Sequence, residues 1–160
     1  IITCLLLFSF NAVAEEFEVT KESSDAFAIA TFKLEPGTKI YWRHPGEVGL
    51  PTKFDFKGSS NLRSAEVFWP TPVIYENQGI ISYVYEEKVS FPIEVIAKDR
   101  SKPISLKANI HFTICSKSCS NHEVNLDFII EPDVPISQKT IDALNKIPYV
   151  SNDVKTAFAE

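Results

Sequence analysis

Two alternating stretches that meet at a short polar turn constrain the fold of this chain more than any other feature. Every second residue of Ile104–Ile114 is apolar, and the alternation returns from Val124 to Ile130. Successive side chains of a β-strand point to opposite faces, so each stretch predicts a strand with one buried face. Together they predict a long antiparallel hairpin with strands at Ile104–Cys115 and Cys119–Ile130, so that the two cysteines stand on either side of its turn.

The cysteine spacing predicts the register of this hairpin. With Cys115 opposite Cys119, four apolar pairs face each other: Ile110 with Val124, Ala108 with Leu126, Leu106 with Phe128, and Ile104 with Ile130. A slip of one residue would place apolar side chains opposite polar ones. Opposed Cα atoms lie roughly 4.5–5.5 Å apart, a separation that a disulfide tolerates. Parity places both cysteines on the polar, accessible face of the tip.

The rest of the chain between Phe17 and Ile130 is also typical of β-structure. Short stretches rich in β-branched and aromatic residues predict further strands at Ala26–Leu34, Lys39–Trp42, Thr52–Phe56, Ala65–Trp69, Ile80–Tyr85 and Val89–Ala97. The polar segment Tyr75–Gly79 is predicted to be an exposed loop. Ser137 is predicted to cap a short helix. These elements predict an all-β, immunoglobulin-like antiparallel sandwich with a short C-terminal helix, and a barrel is the alternative.

The N-terminal residues resemble the end of a secretory signal. An apolar run from Leu5 to Phe10 precedes Ala12-Val13-Ala14, a small-x-small cleavage site, and a buried strand is the alternative. We therefore expect a partial signal peptide at 1–14, a sandwich domain at 15–135, and a short helix with a tail at 136–160. Cys4 would leave with the signal. The mature protein is expected in the periplasm, where two cysteines favour a disulfide.

Charge and size limit the function. The net charge of −5 comes without a basic stripe, which argues against nucleic acid and anionic lipid as partners. A chain of 160 residues can bury a core without cross-links. A disulfide closing a loop of about five residues contributes only about 2 kcal/mol, against about 4.7 for a loop of 100. The positive Lys117 would favour a thiolate at the tip, so an inert bridge and a redox centre both remain open.

Metal binding is a further alternative, because thiolates with imidazole from His44, His111 or His122 would suit Cu(I) or Zn(II). In the predicted register His122 points to the opposite face from the cysteines. His111 lies about 13 Å along its strand from them. We therefore predict neither a metal site nor a cofactor. The motifs of serine hydrolases, zinc proteases and phosphate-binding loops do not occur.

Several motifs resemble one known family, the N-terminal periplasmic domain of the DsbD and ScsB thiol:disulfide interchange proteins, or disulphide bond corrector domain. In order, they are Pro36-Gly37, Tyr41-Trp42-Arg43, Pro45-Gly46, Gly49-Leu50-Pro51, Phe54-Asp55, Ser60-Asn61-Leu62, Trp69-Pro70-Thr71-Pro72, Tyr83-Val84-Tyr85, Phe91-Pro92-Ile93, and Cys115 with Cys119. The likeness runs from about Ser24 to Pro148. The chain departs from the family in having Ser120-Asn121 after the second cysteine and Thr38 after Pro-Gly.

The resemblance implies an immunoglobulin-like sandwich with Cys115 and Cys119 as its redox pair. It also implies part of a protein-disulfide reductase system, in which a thioredoxin-like or membrane-embedded partner supplies electrons and oxidised periplasmic proteins receive them. Relatives continue into a membrane region, so the chain is expected to be either a fragment or a stand-alone periplasmic domain. No membrane insertion of the segment itself is expected.

The expected reaction begins with a partner thiolate that attacks one sulfur of the disulfide and forms a mixed disulfide. The more exposed cysteine should react, and from the sequence we favour Cys115. A covering loop is expected to protect the reduced pair, with Trp69–Gly79 as the first candidate and Tyr41–Pro51 as the second. The main alternative is a binding module with an inert disulfide, and copper handling is the third possibility.

Overall fold

A computed structural model describes residues 17–24 and 26–148 of the chain. The predicted signal peptide at 1–14 and the tail beyond residue 148 lie outside the described residues. In chain order the strands are β1 (Phe17–Ser24), β2 (Phe27–Leu34), β3 (Lys39–Gly46), β4 (Lys53–Asp55), β5 (Leu62–Val67), β6 (Val73–Asn77), β7 (Ile80–Glu86), β8 (Lys88–Ala97), β9 (Ile104–Cys115) and β10 (Cys119–Ile130). A short helix, α1 (Gln138–Leu144), follows.

The strands form two antiparallel sheets. The smaller sheet has the order β1-β2-β8-β5, and the larger has the order β10-β9-β3-β7-β6, with β4 paired to β9. Two antiparallel sheets that pack face to face are the arrangement of immunoglobulin domains. The prediction of an immunoglobulin-like antiparallel β-sandwich with a short C-terminal helix is therefore confirmed.

The core lies between the inner faces of the two sheets, and several aromatic rings meet in it. Phe32 of the smaller sheet meets Phe112 of the larger with ring centroids 5.0 Å apart and nearly perpendicular. Phe91 packs edge-on against Phe32 at 5.8 Å and against Tyr85 at 5.3 Å. Edge-to-face pairs of this kind add to the free energy gained by burying the rings. The outer face of the larger sheet takes no part in this contact between the sheets.

The β9–β10 hairpin has the predicted register. Cys119 pairs with Cys115, and the four predicted apolar pairs face each other along the two strands. Each of these strands contains twelve residues, and their bounds agree with the prediction. The hydrophobic pattern and the turn length together were sufficient, because only one register buries all the apolar side chains.

Two strands were not predicted. Strand β1 covers the edge of β2, and strand β6 pairs with β7 through the segment in which a loop was predicted. The prediction of an exposed loop at Tyr75–Gly79 is wrong for Tyr75–Asn77, and Gln78 with Gly79 makes the turn to β7. Both strands lie at sheet edges, where one side of the strand faces water and polar residues are tolerated.

Helix α1 packs against the smaller sheet. Ser137 caps it as predicted, because its side chain accepts a hydrogen bond from the backbone N–H of Thr140 at 3.1 Å. The hydroxyl of Thr140 is buried and lies 2.7 Å from that of Ser24 in β1. Glu22 of β1 accepts a hydrogen bond from the Ser137 hydroxyl and pairs with Lys139 at 3.0 Å. The helix is thus fastened to β1 by polar contacts.

Candidate redox site

A disulfide joins Cys115 to Cys119 at the tip of the β9–β10 hairpin. The S–S distance is 2.04 Å, and the two Cα atoms are 4.1 Å apart, slightly closer than the range predicted from strand pairing. The turn between the cysteines is polar and exposed, and the N–H of Ser116 donates to the carbonyl of Ser118 at 2.9 Å. Thr113 and Asn121, the next pair on the same face, are joined by a hydrogen bond of 2.7 Å.

The two cysteines have different surroundings. Cys119 is exposed, whereas only 4% of the surface of Cys115 is accessible. The prediction that both lie on an accessible face is correct for Cys119 and wrong for Cys115. The criterion of exposure therefore selects Cys119, and not Cys115, as the sulfur that an incoming thiolate reaches first. Cys115 is buried because it belongs to a second, small apolar cluster on the outer face of the larger sheet.

This outer cluster consists of Cys115, Tyr41 and Val84, with Tyr75 packed against it. The hydroxyl of Tyr41 donates toward Sγ of Cys115 across 3.5 Å, a hydrogen bond that is buried. A bond to sulfur is weak, but a buried donor also excludes water from the sulfur. Cys115 thus lies beneath a tyrosine from β3, a strand that is far from it in the sequence.

The segment 47–52 holds Tyr41 in place. The backbone of Gly49 packs so closely on the ring that a Cβ at this position would overlap it. The hydroxyl of Thr52 donates to the carbonyl of Tyr41 at 2.6 Å. At the other end of the segment, Glu47 exchanges hydrogen bonds with the backbone of Ile81, its carboxylate accepting at 2.7 Å and its N–H donating at 3.0 Å. The segment is therefore fastened at both ends.

The two predicted covering loops contribute unequally. The beginning of the first candidate packs inward: Trp69 lies 5.3 Å from Phe91, and the Tyr85 hydroxyl donates to the carbonyl of Pro70 at 2.8 Å. Burial raises the pKa of Tyr85 far above its usual range, which keeps this hydroxyl a donor. The first candidate contributes Tyr75 to the outer cluster, but Tyr75 lies in strand β6 and not in a loop. The second candidate supplies Tyr41 and Gly49.

One lysine lies in the same cross-strand row as the disulfide. Lys39 of β3 pairs with Cys115 on one side and with Glu86 of β7 on the other. Lys39 is 9% exposed, and its ammonium stands 4.1 Å from the centre of the Tyr75 ring. Such a cation–π contact stabilises a positive charge that has been removed from water. The position of Lys39 beside Cys115 could not be predicted from the sequence, because the register between β3 and β9 depends on the tertiary fold.

Each of the three histidines contacts neighbours other than the cysteines. The ring of His122 stacks on Phe112 and contacts the Ser120 hydroxyl at 2.8 Å, while His111 is 3.9 Å from Glu123. His44 packs edge-on against Trp42. Within residues 17–24 and 26–148, no three His, Cys, Asp or Glu side chains are grouped as a metal ion would require.

Fold and site together define an immunoglobulin-like sandwich domain that carries a disulfide, half exposed and half buried, at the tip of one hairpin. Residues 9–130 match the family described as "Thiol:disulfide interchange protein DsbD, N-terminal". The chain belongs to this family, and it is accordingly a thiol:disulfide interchange domain whose cysteine pair is joined in a disulfide. Among curated proteins, no sequence matches the chain.

The solved structures that are similar to the chain include the N-terminal periplasmic domain of ScsB and the reduced DsbD N-terminal domain. The N-terminal periplasmic domain of ScsB from Proteus mirabilis matches with a TM-score of 0.66 and 27% identity over 83% of this chain and 54% of that one. The chain thus spans about half the length of that relative. The reduced DsbD N-terminal domain of Neisseria meningitidis gives a TM-score of 0.48 and 13% identity over 72% of this chain and 85% of that one.

No helix in the described part of the chain has both the length and the hydrophobicity that crossing a bilayer requires.

Proposed function

We propose that the chain is a redox relay that passes electrons through Cys115 and Cys119 to or from partner proteins. The observation that carries this proposal is the unequal burial of the two cysteines. An exchanging disulfide needs one sulfur that a partner can reach, and its other sulfur is protected if water and oxidants are excluded from it. In an inert bridge no partner has to reach either sulfur, so unequal burial of the two cysteines would serve no function.

The reaction begins when a partner thiolate attacks Sγ of Cys119. A new bond forms between the partner's sulfur and Cys119, the Cys115–Cys119 bond breaks, and its electron pair leaves on the sulfur of Cys115 as a thiolate. A second thiolate of the partner then attacks the partner's own sulfur and releases Cys119. The partner has become a disulfide, and the pair has gained two electrons and two protons. The reduced pair passes them to an oxidised client by the same steps in reverse.

The partners that fit this chemistry are proteins with a dithiol of their own. A thioredoxin-like domain or a membrane-embedded reductase would supply the electrons, and oxidised periplasmic proteins would receive them. The ScsB relative is described as a periplasmic domain, and a disulfide persists in that compartment. We place the chain there too, with residues 1–14 as a partial signal peptide, 15–135 as the exchange domain, and 136–160 as helix and tail.

Trapping of the mixed disulfide tests the relay. In a Cys4→Ser background, Cys115→Ala leaves one exposed thiol. It should form a stable mixed disulfide with a single-cysteine thioredoxin that has been activated by glutathionylation. The matched variant Cys119→Ala, whose remaining thiol is buried, should form the adduct at least about tenfold more slowly. Intact-mass spectrometry gives both rates.

Client reduction provides the second arm of this experiment. The variant that lacks both Cys115 and Cys119 should not carry electrons from reduced thioredoxin to an oxidised client protein. If that double variant reduces the client at the wild-type rate, the relay is wrong. Equal trapping through either single cysteine would contradict the assignment of Cys119 as the attacked sulfur.

A further inference from the structure

The opening of the disulfide places a negative charge in a dry environment. Cys115 is almost completely buried, and burial alone raises the pKa of a thiol because it disfavours the thiolate. A sulfur with a high pKa is a poor leaving group in thiol–disulfide exchange. The relay proposed above would therefore be slow unless a positive charge or strong donors near Cys115 offset the cost.

Lys39 is the cation that the fold buries beside this sulfur. It is directly opposite Cys115 in the ladder between β3 and β9, and both residues belong to the outer face because their neighbours Ile40 and Ile114 are in the core. Directly opposed residues have Cβ atoms roughly 4.5–5.5 Å apart, and the flexible stem of a lysine is long enough to span that gap. While the disulfide is closed, the ammonium rests on Tyr75.

The other polar groups around Cys115 differ from Lys39 in position or charge. On the same face, Tyr41 contributes a hydroxyl donor and Tyr75 an aromatic ring, and neither side chain is a cation. Glu86, the carboxylate in this row, is exposed and lies on the far side of Lys39 from Cys115. Lys117 lies in the turn and is exposed to solvent, where water and salt weaken its field.

We propose that Lys39 is the positive charge that stabilises the Cys115 thiolate when a partner opens the disulfide. This inference rests on the proposed relay and adds a residue to it. As the thiolate forms, it offers the ammonium a full negative charge in place of the quadrupole of the Tyr75 ring. Lys39 thereby lowers the pKa of the leaving sulfur and favours the reduced state of the pair.

Lys39→Met tests the inference, because it removes the charge and keeps the length of the side chain. In the Cys4→Ser, Cys119→Ala background the remaining thiol is Cys115, and the pH dependence of its thiolate absorbance gives its pKa. The pKa should rise by about one unit or more. In the two-cysteine protein, attack by reduced glutathione should slow about threefold, and the equilibrium should shift toward the disulfide.

Two matched variants separate charge from packing. Lys39→Arg keeps the charge and should retain the wild-type pKa of Cys115 within about half a unit. Lys107→Met removes a lysine from the same strand and face as Cys115, about 26 Å away, and should change neither quantity. If Lys39→Met does not fold, as judged by circular dichroism, Lys39→Gln takes its place.

The outcomes distinguish this inference from the relay itself. A wild-type protein that exchanges with glutathione, together with a Lys39→Met variant of unchanged pKa and rate, overturns the role of Lys39 and leaves the relay intact. A wild-type disulfide that glutathione does not open overturns both. A raised pKa in Lys39→Met and in Lys39→Arg alike would show a packing effect and would also overturn the role of the charge.

Discussion

Cys115 and Cys119 share one bond and have unlike environments. Their pairing follows from local sequence, because the alternation of apolar residues permits a single hairpin register. The burial of Cys115 does not follow from local sequence. It depends on Tyr41, which is 74 positions away in the chain, and on the segment that follows the shift in β3–β7 register between Tyr41 and Gly46, because the backbone of Gly49 packs on the Tyr41 ring.

Removal of the Tyr41 hydroxyl should change the pKa of the Cys115 thiol in the reduced protein more than it changes the stability of the fold. A hydroxyl that donates to a thiolate lowers the pKa of the thiol, so Tyr41→Phe should raise the pKa of Cys115 by up to about one unit. The free energy of unfolding should change by less than about 1 kcal/mol, because the ring and its packing remain. Thiolate absorbance against pH and urea unfolding measure the two effects. Tyr83→Phe, which alters a tyrosine packed against Trp42, is the matched control. An equal pKa in both variants would contradict this role of the hydroxyl.

Among the elements, the segment 47–52 covers Cys115 through Tyr41. A Cβ at Gly49 would overlap the Tyr41 ring, and the backbone there has a φ of +98°, which disfavours other residues. Gly49→Ala should therefore displace the ring and destabilise the protein by about 2–4 kcal/mol. Cys115 should become more accessible. In the Cys4→Ser, Cys119→Ala background, alkylation of the Cys115 thiol by iodoacetamide should accelerate at least about tenfold.

Gly79→Ala is the control for the backbone effect. Gly79 has a φ of +81°, but a Cβ there would meet nothing within 4 Å. It should cost about 1–2 kcal/mol from strain alone and leave alkylation of Cys115 unchanged. If the two glycine variants accelerate alkylation equally, the segment 47–52 is not the cover of Cys115.

The attachment of helix α1 should depend on pH. The hydrogen bond from the Ser137 hydroxyl, assisted by Lys139, lowers the pKa of Glu22 below its ordinary 4.5. A carboxyl with a lowered pKa stabilises the docked helix above its ordinary pKa, and this stabilisation is lost as the pH falls through the lowered value. Hydrogen exchange of the α1 amides, compared between about pH 6 and about pH 3 after correction for intrinsic rates, should show weakened protection. Glu22→Gln should remove this pH dependence, and a dependence that persists in the variant would contradict the account.

The strands differ in how far sequence could predict them. Strands β9 and β10 have twelve residues each and a buried face, so their patterns were sufficient. Strand β1 contains Lys21-Glu22-Ser23-Ser24 and β6 contains Glu76-Asn77, residues whose intrinsic preference is for turns or solvent. Edge pairing with β2 and β7 overrides that preference. Such pairing is a tertiary effect that one sequence does not reveal.

For the whole molecule, the sandwich should remain folded when its disulfide is reduced. The bond closes a loop of only a few residues, so its loss should lower the free energy of unfolding by about 2 kcal/mol, and the core between the sheets does not depend on it. Urea unfolding with and without reductant measures the difference in a Cys4→Ser protein. A loss of more than about 4 kcal/mol, or unfolding on reduction, would identify the disulfide as a structural staple.

The midpoint potential of the Cys115–Cys119 couple tests the relay most directly. It is obtained by equilibrating the Cys4→Ser protein in a series of glutathione buffers and quantifying the oxidised and reduced forms by mass after alkylation. An exchanging pair should have a potential above about −300 mV, within the range in which thioredoxin-like proteins operate. A value below about −300 mV would mark the bond as an inert bridge and contradict the account.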